Sequence, residues 1–395
     1  MTAAAASARR SERRALAAAT GAHALFDGYS DLLYVLLPVW QAEFGLSYAE
    51  IGALRGLFSG AMASFQIPSS LLADRLGARL MLAASVAIGG AGYCLAGAST
   101  GFVSLVIALV IGGLGASVQH PVASALVARA YESARSRTAL GTYNFAGDLG
   151  KMAFPALTAL LLVALPWRPT LALLGLFGIA AAGLIFTLTP AIEDERTEDT
   201  AENRAAPRPQ RFGFPLLLSI GVLDSATRMA FLTFLPFLLK MKGADTPAIG
   251  FALLLVFAGG ATGKLGCAFL GARIGTIATV CLTEGLTAVG ILALLPLPLW
   301  SELALLPLIG FALNGTSSVL YGSVPDLVLP ERRQRAFGIF YTGTIGAGAL
   351  SPMLYGFVGD RLGVGVTLAL VAAFVLLTVP LALLLRPFFA GDRSA

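Results

Sequence analysis

Three side chains able to move protons, His23, Asp27 and Asp31, recur every fourth residue inside one apolar run. That spacing puts them on one stripe of a helix. Two carboxylates on a stripe repel, which favours keeping a proton on one of them, and histidine exchanges protons near neutrality. The stripe reads as proton-handling, with Asp27 near mid-span; the alternative is a polar stripe that packs on other helices through hydrogen bonds. A second run carries Asp224 and Arg228 at i and i+4, either an internal salt bridge or an anion contact through Arg228. A third carries Asn144, Asp148 and Lys151; Asp148 and Lys151 are spaced to pair, and Lys151 is the other candidate anion contact. His120 precedes Pro121, which predicts a local kink. Asn314 and Tyr321 add polar groups to a further run. Glu284, in a run of its own, reads as structural, and Arg55 and Lys264, off-centre in theirs, are expected to snorkel.

These groups stand out because the chain around them is apolar. Of 395 residues, 57% are hydrophobic and only 12% charged, with 45 glycines and a mean hydropathy of +0.81. Soluble domains carry about a quarter charged residues. The composition excludes a disordered chain, a coiled coil and most soluble enzymes, and points to a polytopic membrane protein. An ionisable side chain near the bilayer centre costs ~2.5–3.5 kcal/mol by insertion scales, so each must be paired or face a cavity. Cys94, Cys267 and Cys281 lie in apolar runs and read as small buried hydrophobes. No Walker loop, Gly-x-Ser-x-Gly turn or metal-ligand spacing occurs. The expectation is a protein that is not an enzyme and has no cofactor, no metal and no ATP as energy source.

About twenty apolar residues cross a bilayer, so the chain can hold roughly a dozen spans. Hydropathy gives runs near Leu16–Trp40, Tyr48–Leu72, Leu80–Ala98, Phe102–Ala128, Thr138–Leu165 and Pro169–Thr189 in the first half. The second half has Phe214–Leu239, Pro247–Leu270, Thr276–Leu295, Leu303–Val324, Ala336–Val358 and Val364–Leu385. The basic segment Arg9 to Arg14 followed by Ala22-His23-Ala24 could mark a cleaved leader, but the apolar stretch continues to Trp40, which favours a first span. The halves repeat: Gly52 matches Gly250, Arg75 matches Arg273 and Gly77 matches Gly275, each 198 residues apart. Ile111-Gly112 matches Ile309-Gly310 at the same offset, and Gly141 and Pro155 match Gly338 and Pro352 after a one-residue slip. Parallel repeats are one known transporter design. The expected domains are a six-helix bundle at 1–190, a charged linker at 191–213 that cannot bury itself, and a second six-helix bundle at 214–395. With both termini inside, nineteen of the 27 Lys and Arg fall on the cytoplasmic side and four outside, which sets the orientation by the positive-inside rule. Arginines that follow topology argue against a nucleic-acid partner.

Between the second and third spans the chain reads Ser70-Leu-Leu-Ala-Asp74-Arg75-Leu-Gly77-Ala-Arg79, and the second half keeps an eroded copy, Gly271-Ala-Arg273-Ile-Gly275. Gly77 permits a tight turn. This segment, with the six-plus-six repeat, resembles the signature loop of the major facilitator superfamily over nearly the whole chain. It departs at Ser70, where the family usually has Gly, and at Ala78, where it usually has Arg. The resemblance implies an all-α membrane fold of twelve transmembrane helices in two parallel pseudo-repeats, with gating roles for Asp74, Arg75, Gly77 and Arg79. Leu37-Pro38, Glu43-Phe-Gly-Leu-Ser47, Ile51-Gly52, Gly113-Leu-Gly115 and His120-Pro121 resemble the fosmidomycin-resistance branch of drug exporters. The Gly147-Asp148-Leu149-Gly150 segment has Asp where the antiporter signature has Pro. The resemblance also implies that spans one, four, five, seven and ten line a central cavity. His23, Asp27, Asp31, His120, Asn144, Asp148, Lys151, Asp224, Arg228 and Asn314 would then share one chamber. The reading is a monomeric secondary transporter of a bacterial inner membrane, working by alternating access. It would export a small polar or anionic compound against protons, or take up an anionic metabolite with them.

Overall fold

The computed structural model describes residues 3–131, 133–190 and 212–389; the charged stretch 191–211, the bulk of the expected linker, lies outside them. Among the described residues there is no strand. The helices are α1 (Ala3–Phe44), α2 (Tyr48–Leu76), α3 (Ala78–Gly97), α4 (Phe102–Ala116), α5 (Ser124–Ala130), α6 (Ser133–Ala164), α7 (Trp167–Leu188), α8 (Gly213–Met241), α9 (Thr246–Ile274), α10 (Thr276–Leu294), α11 (Leu299–Leu327), α12 (Arg333–Val375) and α13 (Thr378–Leu385). The expected apolar runs fall in helical structure, with Phe102–Ala128 divided between α4 and α5 and Val364–Leu385 between α12 and α13. Nine helical segments among the described residues are long and apolar enough to cross a membrane, and the last, Arg335–Phe388, has 54 residues. At 1.5 Å per residue that length suffices for two crossings. It breaks at Gly363, whose φ is 82°. The kink expected at Pro121 is a π-helical stretch, Gln119–Ala123, joining α4 to α5. The missing amide of proline and the wider π turn interrupt the same ladder.

The repeat is visible in the backbone. Gly45 and Gly243 both have positive φ, 64° and 88°, as do Gly77 and Gly275, 80° and 84°. Both pairs are 198 residues apart, and both lie at helix ends where a side chain would be strained. Gly77 and Gly275 make the short α2–α3 and α9–α10 turns, so the signature loop and its eroded copy share one turn geometry.

The described residues fall into two compact units. The first takes the chain up to Leu46, Leu57 to Pro190, and Asp245–Leu254; the second takes Ser47–Gly56, Phe212 to Ala244, and Leu255 to Phe389. Within the first, α1 lies along α6, and α3 along α7 and α4; within the second, α8 lies along α12 and α10 along α11. In lipid, apolar surface alone does not drive helices together, and small residues that let backbones approach do much of it. A Cβ on Gly150 would lie 2.0 Å from the Ala24 carbonyl oxygen, so α1 and α6 meet there backbone to backbone. In the second unit Leu217, Ile220, Leu320, Val324 and Phe340 form a buried cluster. Large apolar side chains such as Leu160, Val163 and Phe177 are exposed, as the outer face of a membrane bundle requires.

Candidate functional site

In the first unit the α1 stripe faces α6. His23 and Asp27 are buried, 3% and 6% exposed. His23 Nδ1 lies 2.9 Å from the Tyr143 carbonyl oxygen. A carbonyl only accepts, so Nδ1 carries the proton and Nε2 points toward Asp27. Nε2 is 3.3 Å from Asp27 Oδ2, and the Lys151 ammonium is 3.4 Å from the same oxygen. Lys151 thus reaches the carboxylate of a neighbouring helix, a partner that spacing along its own helix could not indicate. The Tyr143 ring stacks on His23 at 4.1 Å between centroids, and His120 meets it edge-on at 5.4 Å. Gly147 leaves the room: a Cβ there would come within 2.6 Å of Asp27 Oδ2. Tyr143, Gly147, Gly150 and Lys151 form one stripe of α6 at i, i+4, i+7 and i+8, the face turned to α1. Tyr143 went unnoticed in the sequence, although that stripe was the available signal.

His23, Asp27 and His120 each offer a ligand atom within 4.8 Å of the others, a set that could hold a divalent ion. The backbone carbonyl on Nδ1 is the orientation such a ligand needs. The Lys151 ammonium already supplies a cation to the Asp27 carboxylate. Asp31 and Asp148 are buried at 6% and 8% exposure, His120 and Lys151 are half-buried, and Asn144 is exposed on α6.

The second unit gathers a different set. Asp224 on α8 and Glu284 on α10 are 3% and 2% exposed, and each lies within electrostatic reach of the other. The salt bridge weighed for Asp224 and Arg228 is absent among the described residues: Arg228 Nη1 instead donates to Ser317 Oγ on α11, at 3.4 Å. Glu284, read from the sequence as structural, lies near Asp224. No basic residue shares its helix, so its own helix gives no sign of that neighbour. Asn314 donates to the Gly310 carbonyl of its own helix, at 3.2 Å. Arg55, expected to snorkel, is buried at 5% exposure; it sits where the first turns of α2 join the second unit.

At the signature loop, Asp74 and Arg75 are exposed at the end of α2. Arg79 Nε donates to the Phe186 carbonyl, at 2.7 Å, and its guanidinium lies over the Phe186 ring. Arg14 donates to the carbonyls of Thr187 and Leu188. Two arginines therefore satisfy the open carbonyls at the C-terminus of α7, where positive charge is favoured. Asp74, Arg79, Arg129 and Phe186 line a cavity of about 620 Å³ beside this end.

A family profile described as Major Facilitator Superfamily matches residues 19–223 and again 217–393. The "Hexuronate transporter" of Bacillus subtilis (strain 168) is 22% identical over 356 residues, 84% of each chain. The "Probable L-galactonate transporter" of Escherichia coli (strain K12) is 28% identical over 142 residues, 36% of this chain and 31% of that one. The latter match spans about a third of that relative. A crystal structure of a bacterial homolog to the human lysosomal transporter Spinster, inward-facing and occupied, superposes with a TM-score of 0.81 at 17% identity, covering 96% of this chain and 98% of that one.

Proposed function

Because this chain belongs to the major facilitator superfamily, we propose that its two buried clusters make it a proton-coupled secondary transporter of a small organic anion, working by alternating access. The observation that carries the reading is the Asp27 carboxylate, buried on α1 within ion-pair reach of an imidazole and an ammonium. A cation that close favours the charged form of the carboxylate, and its withdrawal favours the protonated form. An anion that engages Lys151 competes with Asp27 for the ammonium. Asp27 or His23 then takes up a proton, so anion and proton bind together. Binding that is mutually favourable is reciprocal, and it suits co-transport. Relatives named as transporters of galactonate and hexuronate support a hydroxylated carboxylate as substrate class.

Uptake by symport is therefore the direction we propose. A second reading, export against protons, is carried by the exporter-like motifs around Glu43–Ser47 and His120-Pro121. The protein would lie in a bacterial inner membrane with both termini cytoplasmic, acting as a monomer with twelve spans, and Asp74, Arg75, Gly77 and Arg79 would gate its inner end. The test is purified protein in liposomes, with an inward proton gradient and labelled galactonate or glucuronate as probes. Symport predicts accumulation with alkalinisation outside. Movement of the anion opposite to the proton supports export, and no proton movement with anion flux removes the coupling.

A further inference from the structure

The first turn of α2 is held by a residue from another helix. A helix begins with amides that have no partner of their own. In α2 a capping box takes one of them: Glu50 N donates to Ser47 Oγ at 3.2 Å, and Ser47 N donates to Glu50 Oε2 at 2.8 Å. The other two, Tyr48 N and Ala49 N, donate to the two carboxylate oxygens of Asp360 on α12, at 2.6 and 3.1 Å. All of these residues belong to the second unit. The seat around them fits closely. The Tyr48 ring meets Phe237 edge-on with centroids 5.3 Å apart, and Phe234 at 6.1 Å. A Cβ on Gly356 would lie 2.4 Å from the Tyr48 carbonyl oxygen, and one on Gly52 2.1 Å from the Pro352 carbonyl oxygen, so α2 and α12 run backbone to backbone. Asp360 stands in the last turn before α12 breaks at Gly363. The open carbonyls of a helix end disfavour a carboxylate, and the amides of a helix start favour one. The equivalent start of α9 is capped from within its own chain segment: Ala248 N donates to Asp245 Oδ1 at 2.9 Å. The tetrapeptide Asp360-Arg-Leu-Gly363 also repeats Asp74-Arg-Leu-Gly77 of the signature loop, and the two glycines share one turn, with φ of 82° and 80°. One copy stands at the C-terminal end of α2, the other against its N-terminal end.

We infer that Asp360 is a latch: it holds the first turn of α2 on α12 in the conformation seen here and releases it in each transport cycle. The contact is exposed, so water replaces the carboxylate at both amides when it opens, and neither side is left buried and unpaired. α2 passes into the first unit after Gly56, so a released α2 moves with that unit. The opening lies at the end of α2 opposite the signature loop. The contact stands on the geometry; its release rests on the alternating-access reading above.

The test begins with hydrogen exchange of the purified full-length protein, resolved at Tyr48 and Ala49. We expect both amides to be protected in the wild type. In Asp360→Ala both should exchange about tenfold faster or more, with Asp360→Glu restoring protection and the rest of the second unit unchanged. Unprotected amides in the wild type overturn the latch, and that measurement needs no variant to fold. Faster exchange throughout the second unit would make Asp360 a contributor to fold stability alone and also overturns it. For the release, a Cβ on Gly359 would lie 3.2 Å from the Tyr48 Cβ, near the ~3.5–4.5 Å that a disulfide spans. Tyr48→Cys with Gly359→Cys should therefore cross-link on oxidation. The cross-linked protein in liposomes should lose accumulation of galactonate or glucuronate, and reductant should restore it. Each single variant, oxidised alongside, controls for Cys94, Cys267 and Cys281. The cross-link should also slow exchange at Ala49, a readout that needs no substrate. Full transport by the cross-linked protein, or failure to cross-link, overturns the release. If wild-type protein moves neither probe, the transport reading fails, while exchange at Ala49 with and without the cross-link still decides the latch.

Discussion

Asp27 and Lys151 should be energetically coupled, and a double-mutant cycle measures by how much. Their 3.4 Å separation corresponds to an attraction of about 5 kcal/mol at an effective dielectric of about 20. Two effects reduce it. Asp27 is desolvated on burial, and the Lys151 side chain is 31% exposed and so screened by solvent. The net coupling should be about 1–3 kcal/mol. Asp27→Asn strands the ammonium, and Lys151→Met strands a buried carboxylate beside His23, so the latter should cost more. The double variant removes both charges and should be more stable than the two single losses added together. Reversible unfolding of detergent-solubilised protein, followed by helix circular dichroism, gives the four stabilities. Proton-driven accumulation in liposomes gives the function, which all three variants should lose. A coupling near zero refutes the ion pair as a structural unit. Asp27→Asn that still accumulates substrate against a gradient refutes Asp27 as the proton site, whatever its stability.

Arg228→Gln should weaken anion binding about tenfold to a hundredfold, as loss of a charge-assisted contact does; unchanged affinity in a binding assay takes Arg228 out of the site. Lys242 Nζ bonds Glu302 at 2.5 Å and also the carbonyls of Leu294, Leu295 and Leu297. Glu302 is 0% exposed, so Lys242→Met should cost about 3–5 kcal/mol in unfolding free energy. Glu302→Gln, which keeps an acceptor, should cost less, and equal losses would contradict the pairing. Gly150→Ala places a methyl 2.0 Å from the Ala24 carbonyl oxygen; separating α1 from α6 should lower the melting temperature and the transport rate together. A wild-type melting curve would show that the contact yields without cost.

Much of the fold was legible because hydropathy is local. Spans of about twenty apolar residues, arginines sorted to one side and an offset of 198 all follow from the order of residues along the chain. The offset reappears in the paired positive-φ glycines at 45 and 243 and at 77 and 275, and the Pro121 kink reappears as a π turn. The ionisable residues were also legible, since a charge inside an apolar run is visible wherever it falls. Their pairing was harder to read. Spacing suggested Arg228 with Asp224 and could not suggest Lys151 with Asp27, because helix periodicity reports only neighbours on the same helix.

The sequence by itself determined which apolar runs carry ionisable groups and that those runs repeat in two halves. Tertiary structure decided what each touches. α6 carries Lys151 and Tyr143 to His23 and Asp27 because Gly147 and Gly150 let two backbones close, and α10 carries Glu284 to Asp224 although no residue on its own helix announces a partner. In a bilayer a buried charge must find its counterpart across a helix interface, and small residues that carry no charge set which interface forms.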